Sequence, residues 1–237
     1  MQSGVYWSCG KRMKNEDSLA LESVETDGGE YTLLLVADGI ASLDYGEEAS
    51  GYVAECFVRW FYDYAIKHKN MNHHLVKRSL LKTTYECHRS LKEQARIHDV
   101  KWGSTCSLVC IKNHRFVCLQ IGDSSVFKKA KNGNISKMSR SHTNEKGQLL
   151  KCIGSMKYDA PDIFVGRIRY GEGILVASDG FTEQLNNRDL EESLMLTGKV
   201  SEERIEKRLA ALGAQIDKRG GSDNRSAIYV YRNRGRR

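Results

Sequence analysis

A chain of 237 residues fits one domain, or two small ones, and can bury about 70% of its unfolded surface. Its 40% apolar and 28% charged residues exclude a disordered or fibrous protein. The excess of 37 Lys and Arg over 30 Asp and Glu gives +7, which serves solubility more often than nucleic-acid binding, even with Arg232, Arg234, Arg236 and Arg237 clustered at one end.

No apolar run approaches the roughly 18 residues of a spanning helix, and Lys11, Arg12, Lys14, Glu16 and Asp17 interrupt the amino-terminal stretch, so no membrane partner and a cytoplasmic location are expected. Cys9, Cys56, Cys87, Cys106, Cys110, Cys118 and Cys152 are odd in number and lack a Cys-x-x-Cys pair, which argues against a disulfide framework and a thiolate zinc site. They read as small core residues in a reducing compartment.

The first strand is expected at Tyr31–Ala37. From Glu47, the apolar positions Ala49, Tyr52, Val53, Cys56, Phe57, Trp60, Phe61 and Tyr64 follow helical spacing, and Leu80, Thr84, Cys87, Leu91 and Ala95 mark a second helix. Strands follow at Cys106–Ile111, Arg115–Ile121 and Ser125–Ala130, with a tight connection at Lys112–Arg115 and a type I′ turn at Asn132-Gly133 before Ile135. A strand at Ile174–Ala177 and a helix opening at Ser201, with Ile205, Leu209, Leu212 and Ile216 on one face, precede a last strand at Ser226–Tyr231. Hairpins plus a few long amphipathic helices read as α+β, with helices covering the outer faces of sheets packed on each other. One proline, Pro161, and no Gly/Ser-rich linker leave no visible domain boundary, so residues 1–237 are expected to be a single domain.

The informative feature is where the acids fall. Leu33–Ala37 runs into Asp38-Gly39, Ile174–Ser178 into Asp179-Gly180, and Cys118–Ile121 into Gly122-Asp123, while Asp223 stands just before the last strand. Taken singly, an Asp-Gly after a strand is a turn. Several such ends sharing one sheet edge would instead gather carboxylates that repel each other unless cations sit between them. Oxygen-only donors suit Mg²⁺ or Mn²⁺, whereas zinc favours His or Cys. A two-metal site is therefore the hypothesis, with ions about 3.5–4 Å apart activating a water toward phosphorus.

The segment Arg12-Met13-Lys14-Asn15-Glu16-Asp17 offers two more acids and a guanidinium whose fork matches phosphate oxygens. In an extended strand Arg12 and Glu16 would face one side. An exposed charge cluster at a frayed end is the competing reading.

In order along the chain stand Arg12-x-x-Asn15-Glu16-Asp17, Val36-Ala37-Asp38-Gly39, Gly46-x-x-Ala49-Ser50, Gly103-Ser104-Thr105, Gly122-Asp123-Ser124, Ala177-Ser178-Asp179-Gly180 and Gly221-Ser222-Asp223-Asn224. This series resembles the metal-dependent protein phosphatase (PPM) family, protein phosphatase type 2C, in its bacterial form, over nearly the whole chain. The resemblance implies a four-layer α-β-β-α sandwich of two mostly antiparallel sheets flanked by helices. It also implies hydrolysis of phosphoserine and phosphothreonine in phosphoproteins by a water or hydroxide shared between two Mn²⁺ or Mg²⁺ ions, without a phosphoenzyme. By motif, Asp38 looks like the ligand bridging both metals, Asp179 and Asp223 complete one site, and Glu16 with the Gly39 carbonyl completes the other. Asp123 matches a ligand of a third, weaker metal, Asp17 orients ligand water, and Arg12 binds phosphate. Gly39 would leave room for the backbone to approach a cation.

Three features depart from the family pattern. Ile40 stands after Asp38-Gly39 and cannot be a general acid, so water must protonate the leaving oxygen. Ser141-His142 replaces the usual Asp-His, and the stretch from His142 to Gly154 is shorter than the family's flap. His142 is expected to be a structural turn residue, and the Cys106/Cys110 alternation and the aromatic stripe from Tyr52 to Tyr64 to be core. The expected partners are a phosphoprotein and a serine/threonine kinase sharing its targets, with the protein acting as a monomer in signalling. The rivals are a two-metal nuclease or nucleotide phosphoesterase, and a non-catalytic phosphatase-fold binding protein.

Overall fold

The computed structural model describes residues 1–68 and 71–233, so Arg234, Arg236 and Arg237 of the basic end lie outside the described residues. In chain order the first half holds β1 (Gln2–Ser8), β2 (Asp17–Thr26), β3 (Gly29–Asp38), α1 (Gly46–Lys67), α2 (His73–His98), β4 (Cys106–Lys112) and β5 (Arg115–Ile121). The second half holds β6 (Ser125–Lys129), β7 (Ile135–Lys137), β8 (Asp162–Arg167), β9 (Gly173–Ala177), α3 (Asp179–Thr182), α4 (Asn187–Ser193), α5 (Glu202–Lys218) and β10 (Arg225–Tyr231). The fold is α+β, with two five-stranded antiparallel sheets, each carrying helices. No helix among the described residues is long and apolar enough to cross a membrane.

These elements form two compact units, each assembled from separated stretches of chain. One comprises Glu16–Ser124 and Ser141–Arg167. Its sheet runs β2-β3-β4-β5-β8, with α1 and α2 on one face. Leu33, Leu35 and Ala37 of β3, with Cys106, Leu108 and Cys110 of β4, meet Val53, Phe57 and Phe61 of α1 and Leu80 of α2 in one core cluster. Leu34, Val36, Val109 and Phe116 point the other way and are buried too, which is why β3 reads as an unbroken apolar run instead of an alternation. The stripe from Tyr52 to Tyr64 packs into this core as expected, Tyr52 and Cys56 only partly buried against it, and the two cysteines of β4 are core. All seven cysteines are free thiols.

The other unit comprises Met1–Asn15, Ser125–Arg140 and the chain from Ile168 on. Its sheet runs β1-β10-β9-β6-β7, and Leu175, Ala177, Ala227 and Tyr229 pack with Ile205, Leu209 and Leu212 of α5. Ser201 caps α5 by accepting the Arg204 amide, as its sequence signal indicates. The β6–β7 connection is not the expected type I′ turn. The Gly133 amide donates to the Ala130 carbonyl, and only Gly133 (φ 101°) is left-handed there, which is a type I turn closed by a glycine bulge.

The short helix α4 is anchored by a capping box between Asn186 and Asp189. Arg219, just past α5, donates to both oxygens of Asp189 at 2.6 and 2.9 Å. That bidentate pair, aided by the Asn186 backbone amide donating to Asp189 Oδ2 and by Gln215, holds the Asp189 carboxyl well below its ordinary pKa. The stabilisation is therefore full above the unfolded value of about 3.9 and is lost as pH falls through the lower folded value. The urea-midpoint gap between wild type and Asp189→Asn is expected to be wide at pH 7 and to close at acid pH. A gap that does not change with pH would contradict it.

Candidate active site

In the unit built on β2–β3, an antiparallel ladder carries the acids to one end. Asp17 pairs directly with Asp38, and the Gly39 amide donates to the Glu16 carbonyl at 3.0 Å. Residues directly opposite on such a ladder project to the same face, so the two carboxylates stand side by side, Asp17 only 4% exposed. Asp38 is held on both backbone atoms. Its amide donates to Thr105 Oγ1 at 3.0 Å, and its carbonyl accepts from the Thr105 amide (2.8 Å) and from Ser104 Oγ (3.0 Å). Asp123 leaves β5 at this same sheet end, where Ser124 Oγ lies 3.1 Å from Thr105 Oγ1. The motif Gly103-Ser104-Thr105, whose role was not legible in the sequence, is thus the clamp on Asp38.

Gly46-x-x-Ala49-Ser50 finds its reason here as well. Ser50 Oγ donates to the Glu16 carbonyl at 2.6 Å, and a side chain at Gly46 would come within 2.8 Å of Glu16 Oε1. A Cβ at Gly39 would overlap the Gly46 carbonyl and lie 2.7 Å from the Glu16 oxygen, so the crossing of two backbones by itself demands glycine there. His142 is buried and fixed: its amide donates to the Gly122 carbonyl at 3.0 Å, and its Nδ1 accepts the Gly122 amide at 3.1 Å. It is a turn residue tied to the loop that presents Asp123, with Asp162 3.4 Å from its Nε2. The shortened stretch after it is pinned by Ile153, whose amide and carbonyl both bond Ser104.

In the other unit, β9 and β10 run antiparallel, so the end of one lies beside the start of the other. Asp179 and Asp223 sit at those neighbouring ends, and the Ser178 amide donating to the Ser226 carbonyl (2.9 Å) extends the ladder toward them. A Cβ on Gly180 would overlap the Asn224 carbonyl and lie 2.9 Å from Asp223 Cβ. Each acid also accepts the amide of the residue after it, Asp179 from Gly180 at 2.6 Å and Asp223 from Asn224 at 2.8 Å. The local role that makes Asp-Gly a turn signal is therefore present alongside the clustering.

Arg12 does not lie on an extended strand. Residues 10–14 form a turn in which the Lys11 amide bonds the Ser222 carbonyl and the Arg12 amide bonds the Cys9 carbonyl, so the expected same-side geometry with Glu16 does not apply. Instead Arg12 Nη2 donates to Asp223 Oδ2 at 3.0 Å, across 211 positions of sequence. Asn224 secures that turn by donating to the carbonyls of Cys9 and Lys14.

Glu16, Asp38, Asp123, Asp179 and Asp223 are all half-buried. Among the described residues no group of three or more His, Cys, Asp or Glu side chains is gathered to hold a metal ion. The donors nevertheless fit a hard cation in kind: they are carboxylates and a backbone carbonyl, without Cys or His. Magnesium-like ions are bound through one or two carboxylates, with water filling the other positions.

Protein phosphatase 2C matches residues 10–214 of the chain. The chain belongs to the protein phosphatase 2C family. It is a protein serine/threonine phosphatase, and the family to which it belongs is metal-dependent and acts on phosphoproteins. Solved structures share the protein phosphatase 2C fold of this chain at low identity. A serine/threonine phosphatase of S. agalactiae is 21% identical with a TM-score of 0.82, covering 98% of this chain and 99% of that one. A serine/threonine phosphatase from Staphylococcus aureus is 20% identical with a TM-score of 0.83, covering 97% and 94%. The catalytic domain of the serine/threonine phosphatase PstP, solved with two manganese ions, is 19% identical with a TM-score of 0.76, covering 96% of each chain. A search of curated protein sequences gives no match.

Proposed function

We propose that the chain hydrolyses phosphoserine and phosphothreonine esters with the help of two Mn²⁺ or Mg²⁺ ions, using the acids at its sheet ends. The observation that carries this reading is the pair Asp17 and Asp38, two carboxylates set directly opposite each other on a ladder, one of them almost wholly buried. Like charges so placed destabilise a sheet unless a cation accompanies them. The two manganese ions in PstP support the same choice of metal.

On one sheet the ligands would be Glu16, Asp38 and the Gly39 carbonyl, with Asp123 serving a further, weaker ion. On the other they would be Asp179 and Asp223. When bound, the ions supply Lewis acidity and an activated water. The chain's own residues do the rest. Arg12 offers planar donors to phosphate oxygens, a match of shape and charge that lysine would lack. Asp17, fixed opposite Asp38, would orient water in the site by accepting a hydrogen bond from it. Ile40 has no proton to give, so the leaving serine or threonine oxygen takes its proton from water in the site.

Uncatalysed phosphate monoester hydrolysis is so slow that about 20 kcal/mol or more of barrier reduction is required, and electrostatic stabilisation is the term able to supply it. Purified protein is expected to release phosphate from 4-nitrophenyl phosphate and from a phosphothreonine peptide with Mn²⁺, and to stop when EDTA is added. Folded protein that releases none, or that ignores EDTA, contradicts the reading.

A further inference from the structure

Within the unit holding Asp38, a groove of about 1190 Å³ runs between the second half of α2, the loop after it and the segment from Gly154 to Tyr158. It exceeds the roughly 300–1,000 Å³ of small-molecule pockets and is open to solvent, dimensions suited to a peptide. Its cations are unevenly satisfied. Arg96 is paired with Glu93 at 2.8 Å, whereas the side chains of Arg89, Lys92 and Lys101 form no ion pair among the described residues, Asp44 meeting Lys101 at its backbone amide (3.0 Å). Arg89 instead lies over the Tyr85 ring, 5.9 Å from its centre, and Lys92 donates to the Met156 carbonyl at 2.7 Å. Between the charges the walls are apolar: Trp102 lines the groove, and Met156 is 96% exposed beside it.

The groove begins where the candidate site ends. Leu43 lines it, the Leu43 amide bonds the Ile40 carbonyl at 2.9 Å, and the Ile40 amide bonds the Gly103 carbonyl at 3.0 Å, just past Asp38-Gly39. The far wall is braced: the Gly154 amide donates to His88 Nδ1 at 3.2 Å, and burial, then Lys92, hold His88 below its ordinary pKa so that it remains an acceptor.

We propose that this groove takes the acidic flanking segment of the phosphoprotein substrate, a reading that rests on the phosphatase function above. Uncompensated Arg and Lys select carboxylates, and Tyr, Trp and Arg are the residue types that concentrate binding energy at interfaces. A nucleic acid fits less well, because a continuous phosphate backbone would have to pass Glu86 and Glu93 in the same wall, whereas a peptide can set its few carboxylates at Arg89 and Lys101 alone.

The test uses two phosphothreonine peptides, one with Asp and Glu beside the phosphoresidue and one with Ala in those places. Fluorescence anisotropy in EDTA, where no turnover occurs, is expected to show the acidic peptide binding about three- to tenfold tighter, a difference in the range of two exposed ion pairs. The double variant Arg89→Glu/Lys101→Glu is expected to abolish that difference. Equal affinities for wild type, a preference that survives the double variant, or tighter variant-sensitive binding of single-stranded DNA would each overturn the proposal. Turnover of 4-nitrophenyl phosphate by wild type in Mn²⁺ reads the phosphatase function separately. Turnover without peptide discrimination removes the groove alone, and absence of turnover removes the reading beneath it.

Discussion

Asp38→Asn is expected to lower kcat/KM for a phosphothreonine peptide in Mn²⁺ by about 10³-fold or more while leaving the melting temperature within a few degrees of wild type. The two effects separate because the fold holds Asp38 by its backbone, through Thr105 and Ser104. Asparagine keeps that clamp and the side-chain shape but loses the charge. Losing a single preorganised electrostatic contact costs about 10²–10³ in turnover, and a carboxylate that serves both water activation and charge neutralisation belongs at the upper end. A variant within tenfold of wild type would end the metal assignment of this strand end.

Gly39→Ala is expected to fail differently, losing stability and activity together. The new methyl would meet the Gly46 and Glu16 carbonyls, and neither can swing aside as a flexible side chain would. Overpacking of this kind costs about 1–3 kcal/mol, which for a chain of this size lowers the melting temperature by about 3–10 °C. Relief can come only by parting Gly39 from both Gly46 and Glu16, which moves the ladder end that carries Asp38. Circular dichroism melting and phosphate release on the same preparation check both halves. A variant that melts and turns over like wild type would show that the crossing is looser than the geometry indicates.

The strands that could be read in the sequence are the inner ones. Tyr31–Ala37, Cys106–Ile111, Arg115–Ile121, Ser125–Ala130, Ile174–Ala177 and Ser226–Tyr231 correspond to β3, β4, β5, β6, β9 and β10, each flanked on both sides in its sheet. Burial on both faces forces a dense apolar run, and that run is a strong signal. β1, β2, β7 and β8 are the sheet edges, where polar residues are tolerated and the pattern dilutes, as in Asp17–Thr26 with its glutamates and serines. The helices α3 and α4 are too short for a 3.6-residue period to show.

The site divides along the same line. Asp38 and Asp179 follow inner strands and were legible as acids at strand ends, and Asp223 precedes one. The turn that delivers Arg12 to Asp223 was not, because a bond between residues so distant in sequence leaves no local pattern. Thr105 and Ser50 act through hydroxyl bonds to backbone distant in sequence, which no periodicity can announce.

The pairing of β1 with β10, Gln2 facing Tyr231, has a consequence for how the chain comes into being. On the ribosome β1 must wait while β2 to β9 are made before its neighbour exists, and joining strands so far apart in sequence is an entropically slow step. Asp223 arrives with that late neighbour. A nascent chain therefore lacks the bond between Arg12 and Asp223 until β10 has been made and has docked on β1.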